Sequence, residues 1–184
     1  AFILTAAMLT TLTPPAFAET WDIEKGDITV KAGDTEGTNK VSQGTIIDKE
    51  DTNTVITGKS DKNTVTIKAE NENDKVEVKL EDVNIKTTGG KAAVSVTGKG
   101  DTNIELNGDN ELSGSGAHAA LEHNQTIDGE GNVTSGELTI QDKDKNGSLT
   151  ATGGIQNGAG IGAGGYGVSS CRIRITGGDK SVTG

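Results

Sequence analysis

The sequence is poor in aromatic, proline, cysteine and basic residues, and each shortage excludes something. Aromatic side chains make up 2% of the 184 residues, so any hydrophobic core must be built from aliphatic side chains. Proline occurs twice and cysteine once, and the single Cys171 excludes an internal disulfide. The 17 basic residues are outnumbered by 27 acidic ones, for a net charge of −10. This balance argues against a nucleic acid partner, because phosphate binding needs clustered Lys or Arg.

The beginning of the chain has the composition of a secretory signal peptide. An apolar stretch leads to Ala16-Phe17-Ala18, a small-x-small cleavage site before Glu19. The apolar run is too short to span a bilayer, which takes about 20 residues. We therefore predict a partial signal peptide over residues 1–18, its N-terminus missing, and one C-terminally truncated domain over residues 19–184. We expect an extracellular or cell-surface location and no membrane span in the mature chain.

Beyond the leader, short apolar clusters alternate with polar residues, as in Val65-Thr66-Ile67-Lys68. This period of two is typical of strands with one buried face. The clusters group in threes, and the first strand of each group recurs at intervals of roughly 26 to 35 residues, as in solenoid repeats. The clusters are Val76–Leu80, Val83–Ile85 and Ala92–Val96, then Ile104–Leu106, Leu112 and Ala117–Leu121, then Leu138–Ile140, Leu149–Ala151 and Ala159–Ala163, and finally Ile173–Ile175. The grouping predicts a parallel β-helix with about three strands per turn.

An ordinary β-sandwich is the alternative, because short strands with Gly-rich turns spaced about 8–12 residues apart also describe that architecture. The order within each group favours the β-helix. A group opens with an alternating β-branched strand, passes through Leu or Val, and ends in a Gly- or Ala-rich strand. Trp21 is then expected in an N-terminal cap that covers the open end of the coil.

The succession of several segments carries a family resemblance. The segments "NTVTIKAE", "VEVKLEDVNIKTTGGKAAVSV" and "GSLTATGGIQNGAGIGAGG", in that order, resemble extracellular β-helix proteins of Gram-positive bacteria, often described as carbohydrate-binding-domain proteins. The stretches "AHAALEHN" and "YGVSSCRIRI" depart from the pattern. The resemblance implies a secreted or wall-associated right-handed β-helix that binds glycans. The combined prediction is an all-β, right-handed parallel β-helix (β-solenoid) with about three strands per turn.

One segment suggests calcium as a cofactor. Asp142, Asp144 and Asn146 would supply oxygen ligands at alternate positions of an EF-hand-like loop, and Gly147 would allow its sharp turn. The twelfth position, where a bidentate Glu should complete the site, is Gly153, and no helix is predicted beside the loop. The alternative is a plain solvated turn between two strands.

Three residues near the C-terminal end are candidates for ligand binding. Arg172 and Arg174 are two positions apart, so both point to one face of a strand, and the pair could bind a carboxylate. The alternative is that they decorate an exposed strand. Tyr166 could be exposed for stacking on a sugar ring. It follows a glycine-rich run, residues 158–164, whose alternate glycines are predicted to face outward.

No catalytic or zinc site is indicated. His118 and His123 flank Glu122, but no third or fourth ligand accompanies them at a zinc spacing. A polysaccharide lyase needs a basic residue to remove a proton beside a uronate carboxylate, and no basic cluster is apparent. We therefore expect a protein that is not an enzyme.

The leading functional hypothesis is a secreted or cell-surface bacterial protein that binds extracellular or cell-wall polysaccharide without catalysis. The second hypothesis is a structural stalk or adhesin segment that presents other modules. The third is a polysaccharide lyase-like fragment.

Overall fold

A computed structural model describes residues 18–165, 172–177 and 179–183. These residues form fifteen strands and one 3-10 turn, Ile23–Lys25. The strands are β1 (Thr20–Asp22), β2 (Ile28–Ala32), β3 (Asn39–Gln43), β4 (Ile46–Asp51), β5 (Thr54–Ser60), β6 (Val65–Ala69), β7 (Lys75–Lys86), β8 (Val94–Gly98), β9 (Asp101–Ser113), β10 (Leu121–His123), β11 (Leu138–Gln141), β12 (Gly147–Thr152), β13 (Ile161–Gly162), β14 (Ile173–Thr176) and β15 (Asp179–Thr183). Most of the apolar clusters in the sequence therefore lie in strands. The predicted signal peptide falls, apart from Ala18, outside the described residues.

The first sheet has eight strands, and all its pairings are parallel. Its main order is β1-β5-β7-β9-β11-β14, with β12 beside β9 and β15 beside β12. Strand β9 is 13 residues long, so its first half pairs with β11 and its second half with β12. The sheet therefore has two halves, one that contains β11 and one that contains β12.

The second sheet has seven strands in the order β13-β10-β8-β6-β2-β3-β4 and is mixed. Pairing is parallel from β13 to β2 and antiparallel from β2 through β3 to β4. The chain reverses between β3 and β4 at Gly44, whose φ of 60° lies in the left-handed region that glycine adopts without steric cost. A connection this short can only join antiparallel neighbours, because a parallel crossover needs a dozen or more residues.

The predicted right-handed parallel β-helix with about three strands per turn is wrong. The described strands form two sheets, one of them mixed, and not a closed solenoid. Two clusters predicted as separate strands, Val76–Leu80 and Val83–Ile85, lie in the single strand β7, which contains a register shift between Glu81 and Asn84 where a turn was expected. The predictions of a solenoid and of a repeat protein are therefore also wrong, as is the β-helix implied by the family resemblance. The sandwich alternative is closer to the observed arrangement.

The core lies between the two sheets and is aliphatic apart from Trp21, in keeping with the scarcity of aromatic residues. Strand β7 shows the expected alternation: Val76, Val78 and Leu80 are buried while Glu77 is exposed. The largest fully buried side chains come from both sheets and include Ile28, Ile56, Ile67, Leu80, Ile85, Ile104, Leu106, Leu112, Leu121, Leu138 and Ile140. Burial of this apolar surface supplies the main favourable term in folding.

A buried amide stabilises the middle of the first sheet, where the pairing of β7 with β9 shifts register and β9 passes from β11 to β12. The side chain of Asn110, 2% exposed, accepts a hydrogen bond from Val83 N at 3.0 Å. It donates to the carbonyl oxygens of Asn107 at 3.0 Å and Ser148 at 3.1 Å. One side chain thus links three neighbouring strands and satisfies backbone groups that the register shift leaves without ladder partners.

Candidate functional site

Two rows of outward polar side chains cross the first sheet. In the first row Glu77 lies beside Asn103, Asn103 beside Thr139, and Thr139 beside Arg174. Side chains at paired positions lie on the same face of a sheet, about 4.8 Å apart from strand to strand. A ladder of polar groups therefore runs perpendicular to the strands.

The second row lies two residues further along the same strands. Lys79 is beside Glu105, and Glu105 is beside Gln141. All three are half-buried. Together the two rows form the floor of a depression, which we call the polar groove and define by its floor residues Glu77, Lys79, Asn103, Glu105, Thr139 and Gln141.

The polar groove consists of two adjoining cavities of about 270 and 260 Å³ that share Glu77, Asn103 and Gln141. One wall comes from the antiparallel part of the second sheet. There Asn39, 5% exposed, donates hydrogen bonds to the Thr54 hydroxyl at 2.9 Å and to the Glu77 carbonyl oxygen at 2.6 Å. The opposite wall is the turn after β11, in which Lys143 N donates to the Glu105 carboxylate at 2.6 Å.

Two amide atoms in the groove have no protein partner among the described residues. Asn103 Oδ1 and Gln141 Nε2 are both inaccessible to solvent, yet neither makes a hydrogen bond there. Most buried side-chain polar atoms in proteins are hydrogen-bonded. An unmade hydrogen bond at such an atom costs about 1–3 kcal/mol, so the groove holds unused hydrogen-bonding capacity.

Carboxylates outnumber ammonium groups around the groove. Glu77, Asp101, Glu105, Glu137 and Asp144 contribute five negative charges, whereas Lys75, Lys79 and Lys143 contribute three positive ones. The lining also contains uncharged amides and hydroxyls, including Asn53, Thr52 and Thr139. The groove therefore offers many hydrogen-bond donors and acceptors within a mildly negative potential.

The predicted ligand-binding residues are only partly brought to this site. Arg174 is exposed and ends the first row, and its Nε donates to the Glu137 carboxylate at 3.3 Å. Arg172 is exposed just before β14, and no contact brings it to the groove. Tyr166 lies outside the described residues. The assignment of these three residues to ligand binding stays a prediction.

The predicted calcium ligands lie in the turn between β11 and β12. Asp142 is buried at 4% exposure, and its Oδ1 accepts a hydrogen bond from Asn146 N at 3.1 Å. Asp144 and Asn146 are exposed. Within the part of the chain that the structure describes, no group of three or more His, Cys, Asp or Glu side chains is placed to hold a metal ion.

Both histidines have protein partners. His118 Nδ1 lies 2.8 Å from Glu122 Oε2, and the carboxylate of Glu122 also accepts from the Asn124 amide at 2.7 Å. His123 is buried, with Nδ1 3.2 Å from the Val96 carbonyl oxygen and Nε2 3.1 Å from that of Gly136. These contacts give His123 a structural role between β8 and the segment 124–137 that follows β10.

Asn103 and Gln141 are not among the site residues predicted from the sequence. In the sequence each is one of many outward polar residues on an alternating strand. Their place in a common site becomes visible only when strands β9 and β11 are aligned in register, which puts Glu105 opposite Gln141.

No family model matches this chain, and neither the curated proteins nor the solved structures contain a significant match. The resemblance to carbohydrate-binding-domain surface proteins therefore stays a prediction. No helix among residues 18–165, 172–177 and 179–183 is long and apolar enough to cross a membrane.

Proposed function

We propose that this chain binds extracellular or cell-wall polysaccharide in the polar groove without catalysing a reaction. The observation that carries the proposal is the pair Asn103 Oδ1 and Gln141 Nε2, a buried acceptor and a buried donor that lack partners among the described residues. A sugar hydroxyl is both a donor and an acceptor. Both side chains are half-buried, so a change of rotamer can turn their amide groups toward the groove, where a ligand rich in hydroxyl groups can satisfy both atoms.

The shape of the groove supports an extended ligand. Two adjoining cavities share one floor, and the floor repeats from strand to strand at about 4.8 Å. A chain of sugar units can contact several strands at once, so that weak hydrogen bonds made by successive units add up along the chain.

The charge of the groove favours a neutral glycan. With five carboxylates and three ammonium groups in its lining, a polyuronate would meet net like-charge repulsion. The same excess disfavours the lyase-like alternative, because such an enzyme must neutralise the carboxylate of its substrate before it removes the neighbouring proton.

The proposal includes export. The small-x-small sequence Ala16-Phe17-Ala18 after an apolar stretch supports cleavage before Glu19, which would release the mature domain outside the cytoplasm. Polysaccharide is one class of polymer that such a domain would meet on a cell surface.

Retention on insoluble polysaccharide tests the proposal. The purified protein is incubated separately with cellulose, chitin and Gram-positive cell-wall sacculi, and the unbound fraction is quantified. We expect depletion by at least one of them, with elution by soluble neutral oligosaccharide. Because the contacts are hydrogen bonds between a neutral ligand and the groove, added salt should change retention little. No depletion by any of the three would overturn the proposal.

A further inference from the structure

The turn that forms one wall of the polar groove contains a buried carboxylate whose interactions are incomplete. Asp142 is 4% exposed, and its Oδ1 accepts the backbone N–H of Asn146. Its other oxygen, Oδ2, is inaccessible to solvent and has no hydrogen-bond partner among the described residues. Because Oδ1 and Oδ2 belong to one carboxylate, the bond from Asn146 N to Oδ1 also holds Oδ2 beside the turn. A buried carboxylate oxygen without a donor or a cation is costly.

We infer that the turn over residues 142–147 binds one calcium ion through Asp142 Oδ2. The side-chain oxygens of Asp144 and Asn146 follow at the alternate positions used by calcium-binding loops. Both of these side chains are exposed and free to turn toward an ion. Backbone carbonyl oxygens of the turn and solvent complete the ligand set, so only two carboxylates are required.

The donor set selects calcium among the common metal ions. All the side-chain donors are oxygen atoms, which hard cations prefer over zinc or copper. Calcium accepts six to eight oxygen ligands in an irregular arrangement, whereas magnesium demands a near-ideal octahedron. An exposed turn with one fixed carboxylate and two adjustable side chains suits the less demanding ion.

A second turn in the same protein has the same spacing of carboxylate and amide side chains, but its first carboxylate is satisfied. Asp128, Glu130 and Asn132 have the spacing of Asp142, Asp144 and Asn146. Asp128 Oδ1 accepts from Glu130 N at 2.9 Å and Asn132 N at 2.8 Å, and Oδ2 accepts from the Asn132 amide at 3.2 Å. Protein donors occupy both oxygens of Asp128. The chain therefore supplies its own matched control.

Calcium at this turn would also order one wall of the groove. Lys143 and Asp144 line the groove, and Lys143 N is hydrogen-bonded to Glu105 of the groove floor. The calcium site does not depend on the proposed function, because it is tested by the ion alone. Calcium binding without polysaccharide binding would leave this inference intact.

Calorimetry on the full chain tests the site. The protein is freed of metal with a chelator and titrated with calcium chloride. We expect binding of one ion with a dissociation constant of about 10⁻⁴ to 10⁻³ M, as in extracellular calcium modules, and weaker binding of magnesium chloride. Asp142→Asn should weaken calcium binding at least about tenfold, whereas Asp128→Asn should bind as the wild type does. The thermal unfolding midpoint should rise with calcium in the wild type and in Asp128→Asn, but not in Asp142→Asn.

Three results would overturn the inference: no calcium heat in the wild type, wild-type affinity in Asp142→Asn, or equal losses in the Asp142 and Asp128 variants. If Asp142→Asn does not fold, the Asp144→Ala variant provides the test instead. Asp144 is exposed, so its replacement should leave the core unchanged. Weaker calcium binding by Asp144→Ala supports the site, and unchanged binding overturns it.

Discussion

Trp21 Nε1 donates a hydrogen bond of 2.7 Å to Asp51 Oδ2 across 30 positions of sequence, and both residues are buried, at 3% and 0% exposure. The other oxygen of Asp51 accepts from Glu19 N at 3.1 Å and Asn53 N at 3.0 Å. Trp21 belongs to β1 of the parallel sheet, and Asp51 ends β4 of the mixed sheet. One carboxylate thus joins the two sheets at the N-terminal end, where a cap was expected.

Replacing this carboxylate should destabilise the fold. Asp51→Ala leaves the indole N–H of Trp21 buried without an acceptor, a loss of about 1–3 kcal/mol for that group alone. Urea unfolding followed by tryptophan fluorescence measures this loss of stability directly, since Trp21 is the single tryptophan. The control Asp34→Ala removes a carboxylate whose side chain is 81% exposed and should leave the midpoint unchanged. Equal midpoints for the two variants would contradict the role of Asp51.

The Asn110 amide should stabilise the middle of the first sheet, as the Asp51 carboxylate stabilises its N-terminal end. Asn110→Ala removes an acceptor for Val83 N and a donor to the carbonyl oxygens of Asn107 and Ser148. At about 1–3 kcal/mol for each buried group left unsatisfied, we expect a loss of about 3 kcal/mol or more in the free energy of unfolding. Asn84→Ala serves as control: among the described residues, the side chain of the half-buried Asn84 makes one hydrogen bond, to the Glu111 carboxylate at 2.9 Å. A small effect for Asn110→Ala would show that these strands do not depend on the amide.

Two glycines should respond differently to alanine. Gly98 has a φ of 113°, and a Cβ there would overlap the carbonyl oxygen of Ala69. The unfavourable backbone conformation alone costs about 1–3 kcal/mol, and the overlap adds to it. Gly129 has no atom within 4 Å of a built Cβ and no positive φ, so Gly129→Ala should be tolerated. Equal thermal unfolding midpoints for Gly98→Ala and Gly129→Ala would contradict the close packing at Gly98.

The loop at Asp128 should keep its carboxylate charged in mild acid. The backbone N–H and the side-chain amide of Asn132 hold the pKa of Asp128 below its usual range. Because the folded pKa is depressed, the contribution of this carboxylate to loop order is present above the unfolded pKa. It is lost as the pH falls through the folded pKa.

Carboxyl NMR titration checks this expectation. Asp128 should titrate below an ordinary aspartate, and Asn132→Ala should raise its pKa part of the way back, because the backbone N–H stays. Asn73→Ala, in the turn before β7, should leave the Asp128 titration unchanged. An ordinary pKa for Asp128 in the wild type would contradict the hydrogen bonding of this loop.

Strand positions could be predicted from the sequence, but sheet organisation could not. Alternation identifies which residues of β7 are buried, as Val76, Val78 and Leu80 are, because one face of the strand must leave water. It does not say which strand lies beside which. Asp82, with a φ of 52°, reads as a turn residue in the sequence, yet it lies inside a continuous strand next to a register shift.

Glycine positions were also interpreted wrongly. The run over residues 158–164 was predicted to face its alternate glycines outward, but Gly158, Gly160 and Gly162 are buried. A Cβ on Gly158 would overlap the carbonyl oxygen of His118. A Cβ on Gly160 would lie 2.5 Å from the carbonyl oxygen of Ala151. These glycines permit close backbone approach, a requirement that depends on residues far away in the sequence.

The groove could not be read from the sequence for a related reason. It forms because the register aligns Asn103 with Thr139 and Glu105 with Gln141. The long segment 124–137 between β10 and β11 obscures the spacing of these strands in the sequence. The turn with Asp142 was recognisable as a ligand pattern in sequence. The sequence does not distinguish the unsatisfied oxygen of Asp142 from the satisfied carboxylate of Asp128, which lies in a turn of the same spacing.

The most direct test of the central claim is affinity electrophoresis of matched variants in gels that contain a soluble neutral polysaccharide such as xylan or hydroxyethylcellulose. A gel containing polygalacturonate serves as the acidic comparison. We expect the wild type and Asn84→Ala, whose change lies on the other half of the sheet face, to be retarded by a neutral polysaccharide but not by polygalacturonate. The double variant Asn103→Ala/Gln141→Ala should migrate as it does without polysaccharide. Equal retardation of the double variant and the wild type, or no retardation of the wild type in any neutral gel, would contradict the account.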